Sequence, residues 1–390
     1  MWIWQDKNWP NFSFDTQALQ SALAAARMAQ GHMLGIASQL QLVQLADMHV
    51  SGITAEALAT AQIEGEVLHP QSVRASAARR LSLDVAKKHK PPSNKHIRKN
   101  YKLDHRAPPR EEATLDVVEA AVRLWQQPLS EAQLFSWHAA LFPAGYSGPM
   151  RIAVGAYRNH SEPMQIVTPQ IGGNDIIHYQ APPSDSVPQH MQQLIAWFNT
   201  SQGQIDGITR AAIAHLWLEA IHPLEDGNGR IGRALSDLAL AQDAHSSQRL
   251  FSLSHQLLAQ RNAYYDQLQA HTGKQAKGSL NATAWVQWFA QRVQDACAHS
   301  SAQMHAALAP SRYWVATQAA HPAITPSQRK VLAKLLDAAP SGFEGGLSTD
   351  KYTAITGLSR ATAYRELTQL LEVGLLVKTG VGKATRYGLV

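Results

Sequence analysis

Residues 221–233 read IHPLEDGNGRIGR, and the order of residue types within this stretch decides how the chain around it folds. Upstream, ITRAAIAHLWLEAIHP (208–223) reads as a buried helix. Pro223 restricts the residue before it and so favours a helix exit. EDGNG (225–229) then makes a loop, and RIGRALSDLALAQ (230–242) resumes a helix. Gly227 and Gly229 therefore stand just before a helix N-terminus. Unpaired main-chain N–H groups and the helix dipole make such a place a ready anion site, and the missing Cβ atoms let a phosphate approach.

The side chains fit the same chemistry. Arg230 and Arg233 are three apart, share a helical face and can grip successive phosphates with planar, charge-assisted hydrogen bonds. Asp226 can supply the one carboxylate that Mg²⁺ takes when phosphates and water complete its octahedron. Asn228 can hold a phosphate oxygen through its amide. His222, at the preceding helix end, can take a proton from an attacking hydroxyl near pH 7. Together they describe transfer of a phosphorus group from a nucleotide by positioning and charge neutralisation.

HPLEDGNGRIGR resembles the signature of the Fic family, H-P-F-x-[D/E]-G-N-G-R-x-x-R, at every defined position except Leu224, which stands where the family has Phe. That aromatic is buried in the family and helps to hold the loop, so Leu224 bears on packing more than on chemistry. The likeness runs from about Glu111 to Leu308 and takes in LFSWHAALFP and APP. It implies transfer of AMP from ATP, with Mg²⁺, to a Ser, Thr or Tyr hydroxyl of a target protein, with pyrophosphate leaving. By the same resemblance His222 is the base, Asp226 the Mg²⁺ ligand and Asn228 the α-phosphate partner. Gly227 and Gly229 form the anion cradle, while Arg230 meets the β-phosphate and Arg233 the γ-phosphate. Residues 157–168 are the candidate flap, which in that fold pairs with target backbone as an added strand. Tyr264 and Tyr265 are candidates for a wall against the base.

TAQIEG, Thr60 to Gly65, resembles the family's inhibitory motif [S/T]-x-x-x-E-[G/N]. At a helix C-terminus the dipole disfavours an anion, so Glu64 gains from a cationic partner. The resemblance names Arg233, the arginine the γ-phosphate needs. The helix carrying this motif is expected over about 54–65, with Thr54 as N-cap and Gly65 as the C′ residue.

The remainder reads as a mainly α chain of more than one domain, as 390 residues imply. The expected division is a helical N-terminal region over 1–100, a catalytic domain over 101–308 and a winged helix-turn-helix over 320–390. Asp15 to Met48 suits one or two helices, and residues 151–183 alternate between Gly, Pro and Asn turn signals as a hairpin-like element. Residues 87–110 collect basic residues and four prolines and read as an exposed linker. From Ile324 onward two helices flank a turn at Gly357, the second starting near Ser359, and a strand pair surrounds Gly380 and Gly382. A 45% hydrophobic share and a 16% charged share exclude a disordered chain. The single Cys297 excludes an internal disulfide and suits a reducing compartment. With no signal-like start and no long apolar run, the expectation is a cytoplasmic protein without membrane contact.

Two readings of other classes compete. His215, Glu219 and His222 have spacings that a metal hydrolase could use, yet that reading leaves both arginines and the GNG loop without a task. A DNA-binding regulator would use Arg360, Tyr364 and Arg365 on the second helix of the C-terminal region, with Lys378, Lys383 and Arg386 on its strand pair. The same module also serves as a target-docking or homodimer surface. Within the family, another donor or the removal of AMP stays open.

Overall fold

The computed structural model describes residues 1–88, 109–168, 175–276, 279–338, 343 and 345–390. The chain divides into two compact units, Met1–Met304 and His305–Val390. Among the described residues there are fourteen α-helices and three two-stranded antiparallel sheets. None of these helices is long and apolar enough to cross a membrane. The basic linker lies almost wholly outside the described residues.

The first unit is built round two helices, α7 (Gly207–Ile221) and α8 (Asn228–Asp243). Every residue of α7 except Glu219 is buried, as its apolar residues on all sides require. Its polar members are satisfied inside: Arg210 donates to the Phe198 carbonyl at 2.6 Å and to Gln242 at 2.7 Å. Trp285 Nε1, from α11 (Thr283–Ala320), closes on the Ala212 carbonyl at 2.7 Å.

Around this pair lie α1 (Thr16–Ala37), α2 (Leu42–Ile63), α3 (Pro70–Lys88), α4 (Pro109–Arg123), α5 (Glu131–Leu141), α6 (Val187–Thr200), α9 (Leu253–Ala259) and α10 (Arg261–Thr272). Asp15 caps α1 by accepting from the Gln17 and Ala18 N–H groups. The helix that ends at the Thr60–Gly65 motif is longer than the sequence suggests. It starts at Leu42, with Gln41 and Gln44 forming a capping box, and Thr54 lies inside it. The Thr54 hydroxyl donates to the Val50 carbonyl at 2.7 Å, so the hydroxyl that looked like a cap is consumed within the helix. Gly52 does not break the helix because it packs against the Arg249 carbonyl, where a Cβ would stand 2.6 Å away. Gly65 ends the helix at φ +82°, as expected of a C′ glycine.

Val50, Ile53, Ala57 and Ala61 of α2 share a core with Val73 and Ala77 of α3 and Leu115 and Val118 of α4. The candidate flap, residues 157–168, enters a strand only at β3 (Gln165–Thr168), which forms a hairpin with β4 (Ile176–Gln180); their connecting turn is outside the described residues. A smaller hairpin, β1 (Tyr146–Ser147) with β2 (Met150–Arg151), precedes it. The N-terminal tryptophans hold the flap: Trp4 Nε1 donates to the Gln180 carbonyl at 2.7 Å, and Trp2 packs edge-on against Tyr179.

In the second unit α12 (Pro326–Asp337), α13 (Thr349–Thr356) and α14 (Arg360–Glu372) are followed by β5 (Leu376–Thr379) paired with β6 (Arg386–Leu389). Gly357 turns at φ +75° and Ser359 caps α14 through the Thr362 N–H. Its core gathers Val331, Leu332, Tyr352, Leu367 and Leu376.

Candidate active site

His222 ends α7 in the left-handed region, φ 49° and ψ 59°, a conformation that costs a non-glycine residue about 1–2 kcal/mol. Burial above all, then the charge of Arg158, pushes the imidazole down to about 4, so it is neutral at pH 7. Its Nδ1 lies 3.9 Å from Glu219 Oε2, beyond hydrogen-bond reach. Glu219 itself is raised to about 7, by burial first and by the Glu64 charge second.

The loop after Pro223 is shaped from within. Asn228 Oδ1 accepts from the Leu224 N–H and its Nδ2 donates to the Leu224 carbonyl, both at 2.9 Å. The amide expected to meet a phosphate thus also braces the loop, the main chain of one residue taking both its ends and one Nδ2 hydrogen being left over. Leu224 is buried, and Phe142 supplies aromatic support from another element. A Cβ on Gly227 would come within 2.9 Å of the Phe142 ring, and the Arg230 guanidinium lies 4.9 Å from its centroid. Asp226 accepts from the Gly227 N–H at 2.5 Å and from the Ser147 hydroxyl.

Gly227, at φ +81°, starts α8, which places Asn228, Gly229 and Arg230 in the first turn, whose N–H groups have no acceptor within the helix. The carboxylate of Glu64 reaches this turn: a Cβ on Gly229 would collide with its Oε1. The same oxygen accepts from Arg233 Nη2 at 2.6 Å. Arg233 Nε donates to the Thr60 hydroxyl at 2.8 Å and Nη2 to the Thr60 carbonyl at 3.1 Å. Thr60 and Glu64 are four apart and so share the face of α2 that meets a guanidinium only 2% exposed. Its second neighbour in the motif, Arg230, is held too, by Glu66 at 2.9 Å. Sequence reasoning missed Glu66, because the residue after Gly65 carries no helical phase that would aim it.

α2 is anchored at a buried polar cluster. Glu56 accepts from Ser252 Oγ at 2.7 Å and from the Ser254 hydroxyl, and Arg249 lies 3.4 Å from Glu56 and 2.8 Å from Asp237. The tyrosines part company. Tyr264 is buried with its hydroxyl on His215 Nε2 at 2.8 Å, while Tyr265 is partly exposed and donates to the Ile63 carbonyl at 3.2 Å. His215 is fully enclosed, with Ser236 Oγ 3.3 Å from Nδ1, so both its nitrogens have protein partners and the hydrolase reading loses a ligand. No group of three or more metal-binding side chains exists among the described residues.

A neutral histidine at a helix end, a glycine loop and two buried arginines at the next helix start are thus brought together within one helical unit. Residues 128–240 match the model of the Fic/DOC family. Residues 2–83 match a model described as a domain of unknown function, DUF4172. A Fic family protein from Desulfovibrio desulfuricans shares the fold at a TM-score of 0.53 and 20% identity, over 96% of this chain and 97% of that one. A Fic domain containing signaling protein from Bacteroides thetaiotaomicron does so at 0.51 and 18%, over 72% and 95%. Over 65 residues, 17% of this chain, it is 34% identical to a protein of Aquifex aeolicus named as a probable protein adenylyltransferase. Over 55 residues, 14% of this chain, it is 44% identical to protein adenylyltransferase fic-1 of Caenorhabditis elegans. These stretches span 20% and 11% of those two proteins.

Proposed function

We propose that this chain is a protein adenylyltransferase, moving AMP from ATP to a Ser, Thr or Tyr hydroxyl of a target protein. The observation that carries the reading is a neutral His222 beside a helix start where Arg230 and Arg233 are both claimed by carboxylates of one neighbouring segment. The names of the two relatives point the same way. In the reaction His222 takes the proton of the acceptor hydroxyl, its oxygen bonds to the α-phosphorus, and the bond from that phosphorus to the bridging oxygen breaks. Pyrophosphate leaves, its charge met by Arg230 and Arg233 and by the first-turn N–H groups of α8. Asp226 would hold Mg²⁺: one carboxylate beside a phosphate seat is the donor set this ion takes, and it supplies further charge neutralisation. The target would lie along the flap, where Ile166 and Val167 are exposed on β3 of a two-stranded sheet.

The same reading makes Glu64 a brake. Its carboxylate rests on the first turn of α8 and on Arg233, where a phosphate would otherwise sit. Glu66 restrains Arg230 in the same way. The cytoplasm, with its reduced thiols, suits a chain whose one cysteine is buried and free. Incubation with Mg²⁺ and ATP followed by intact mass tests the function: Glu64→Gly gains one AMP per modified site, wild type less, His222→Ala none. A phosphate-sized gain, or none with any nucleotide donor, refutes it.

A second reading concerns residues 305–390, where ten Lys and Arg stand against five Asp and Glu. α14 exposes Tyr364 and Arg365, and Lys378 of β5 is exposed. That surface suits duplex DNA. Arg360 forms an exposed pair with Asp350 at 3.0 Å, and Arg386 donates to the Gly345 carbonyl at 2.8 Å. The side chain of Lys383 lies outside the described residues. A homodimer through the same unit is the competing use.

A further inference from the structure

Arg158 is 1% exposed and pairs with no carboxylate among the described residues. Its guanidinium is instead met by neutral acceptors. Nε donates to the His222 carbonyl at 2.8 Å, Nη2 to the carbonyls of Pro182 at 2.7 Å and Ile221 at 3.3 Å, and Nη1 to Ser184 Oγ at 2.9 Å. Its own N–H donates to the Pro223 carbonyl at 2.9 Å. A buried cation without a counterion is costly, and methionine would fill similar space at no electrostatic cost. What offsets the cost is the set of carbonyls that α7 leaves unpaired at its end, where the dipole favours a positive charge.

Those carbonyls belong to the residues on which the chemistry depends. The left-handed main chain of His222 persists only if its surroundings over-determine it, and Arg158 bonds the carbonyl of His222 and those on either side of it. Pro182 and Ser184 follow directly after β4, so the same guanidinium ties the base of the flap to the end of α7. Ser184 Oγ passes the connection on to the His160 carbonyl at 2.8 Å.

We propose that Arg158 is a positioning residue for His222: it locks the main chain that aims the imidazole, registers the flap against it, and faces the ring with a fixed positive charge. This rests on the reading of His222 as the base. The groups facing the ring are Arg158, which opposes its protonation, and the Glu219 main chain with the charges of Glu64 and Asp226, which favour it. With Glu64 removed the balance tips further against protonation, so Arg158 should matter most in the released enzyme.

The test uses the full chain in the Glu64→Gly background, with Arg158→Gln and Arg158→Lys, following AMP transfer against ATP concentration and pH. For Arg158→Gln the expected result is an ATP KM within about threefold of the parent and a kcat lower by about 100-fold, the scale of lost base catalysis. The acid limb of kcat should also rise by about one pH unit toward the ordinary imidazole value. Arg158→Lys keeps the charge, so its limb should stay in place while kcat recovers in part. An unchanged kcat and limb overturns the proposal, and so does a joint loss of kcat and ATP affinity with the limb unmoved, which marks a residue that only holds the fold. If Arg158→Gln does not fold, Arg158→Lys decides: a lowered kcat at unchanged KM and limb supports the proposal, and parent-like turnover overturns it. No transfer by the Glu64→Gly parent would bring down the function itself. The His222 titration followed by NMR then still tests Arg158, an unmoved midpoint in Arg158→Gln overturning it.

Discussion

His222 and Asn228 sit six positions apart, yet they differ in how much of their work the sequence discloses. The proposal of His222 as the proton acceptor follows from its chemistry and its place at a helix end. Its left-handed backbone, its desolvation and its link to Arg158 depend on residues 64 positions away and have no local signal. Turnover should therefore hold steady from pH 8 to 6 and fall only as the imidazole gains its proton at lower pH, because the folded value lies well below the ordinary one. A pH–rate profile of Glu64→Gly with its midpoint above 6 would contradict this. Asn228, the candidate phosphate partner, is also a clamp on Leu224, and that second task had no signal in the sequence. Asn228→Ala should cost about 1–3 kcal/mol in a urea titration, because two buried main-chain groups lose their partners. Glu66→Gln frees Arg230 from a partly exposed pair, so MgATP affinity measured by calorimetry should rise about threefold, in line with an interaction below 1 kcal/mol. A weaker affinity would show that Glu66 helps to build the site instead of covering it.

At the scale of elements, α7, the loop and α8 could be read from the sequence because each announces itself locally: an apolar run, a proline exit, glycines before a new helix. α2 was legible only at its end. The Thr60 and Glu64 spacing fixes a shared face whatever the helix length, but the start of the helix was hidden by a threonine that bonds back to its own turn. What docks α2 is the cluster of Glu56, Arg249 and Asp237, in which Glu56 lies nearly two hundred positions from the other two and no periodicity connects them. Removing Glu56 leaves Arg249 with one buried partner, so Glu56→Ala should destabilise the protein by about 3–5 kcal/mol. It should also raise AMP transfer at temperatures where the fold survives, since it loosens the helix that carries Glu64. A stable variant with unchanged transfer would separate this cluster from the brake.

Taken whole, the chain places its anion chemistry in residues 1–304 and a compact basic unit in 305–390. If that unit binds duplex DNA, fluorescence anisotropy of the full chain with a mixed-sequence duplex should show binding that weakens steeply with salt, and Arg365→Glu or Lys378→Glu should reduce it at least about fivefold. Salt-independent binding, or none at low salt, would favour a protein partner for this surface. The most direct test of the central claim is a comparison of ATP labelled at the α-phosphorus with ATP labelled at the γ-phosphorus, offered to wild type, Glu64→Gly and Glu64→Gly/His222→Ala. AMP transfer held back by Glu64 predicts α-label on protein in Glu64→Gly, far less in wild type, none without His222, and no γ-label in any of them. Retained γ-label, or α-label equal in wild type and Glu64→Gly, would contradict it.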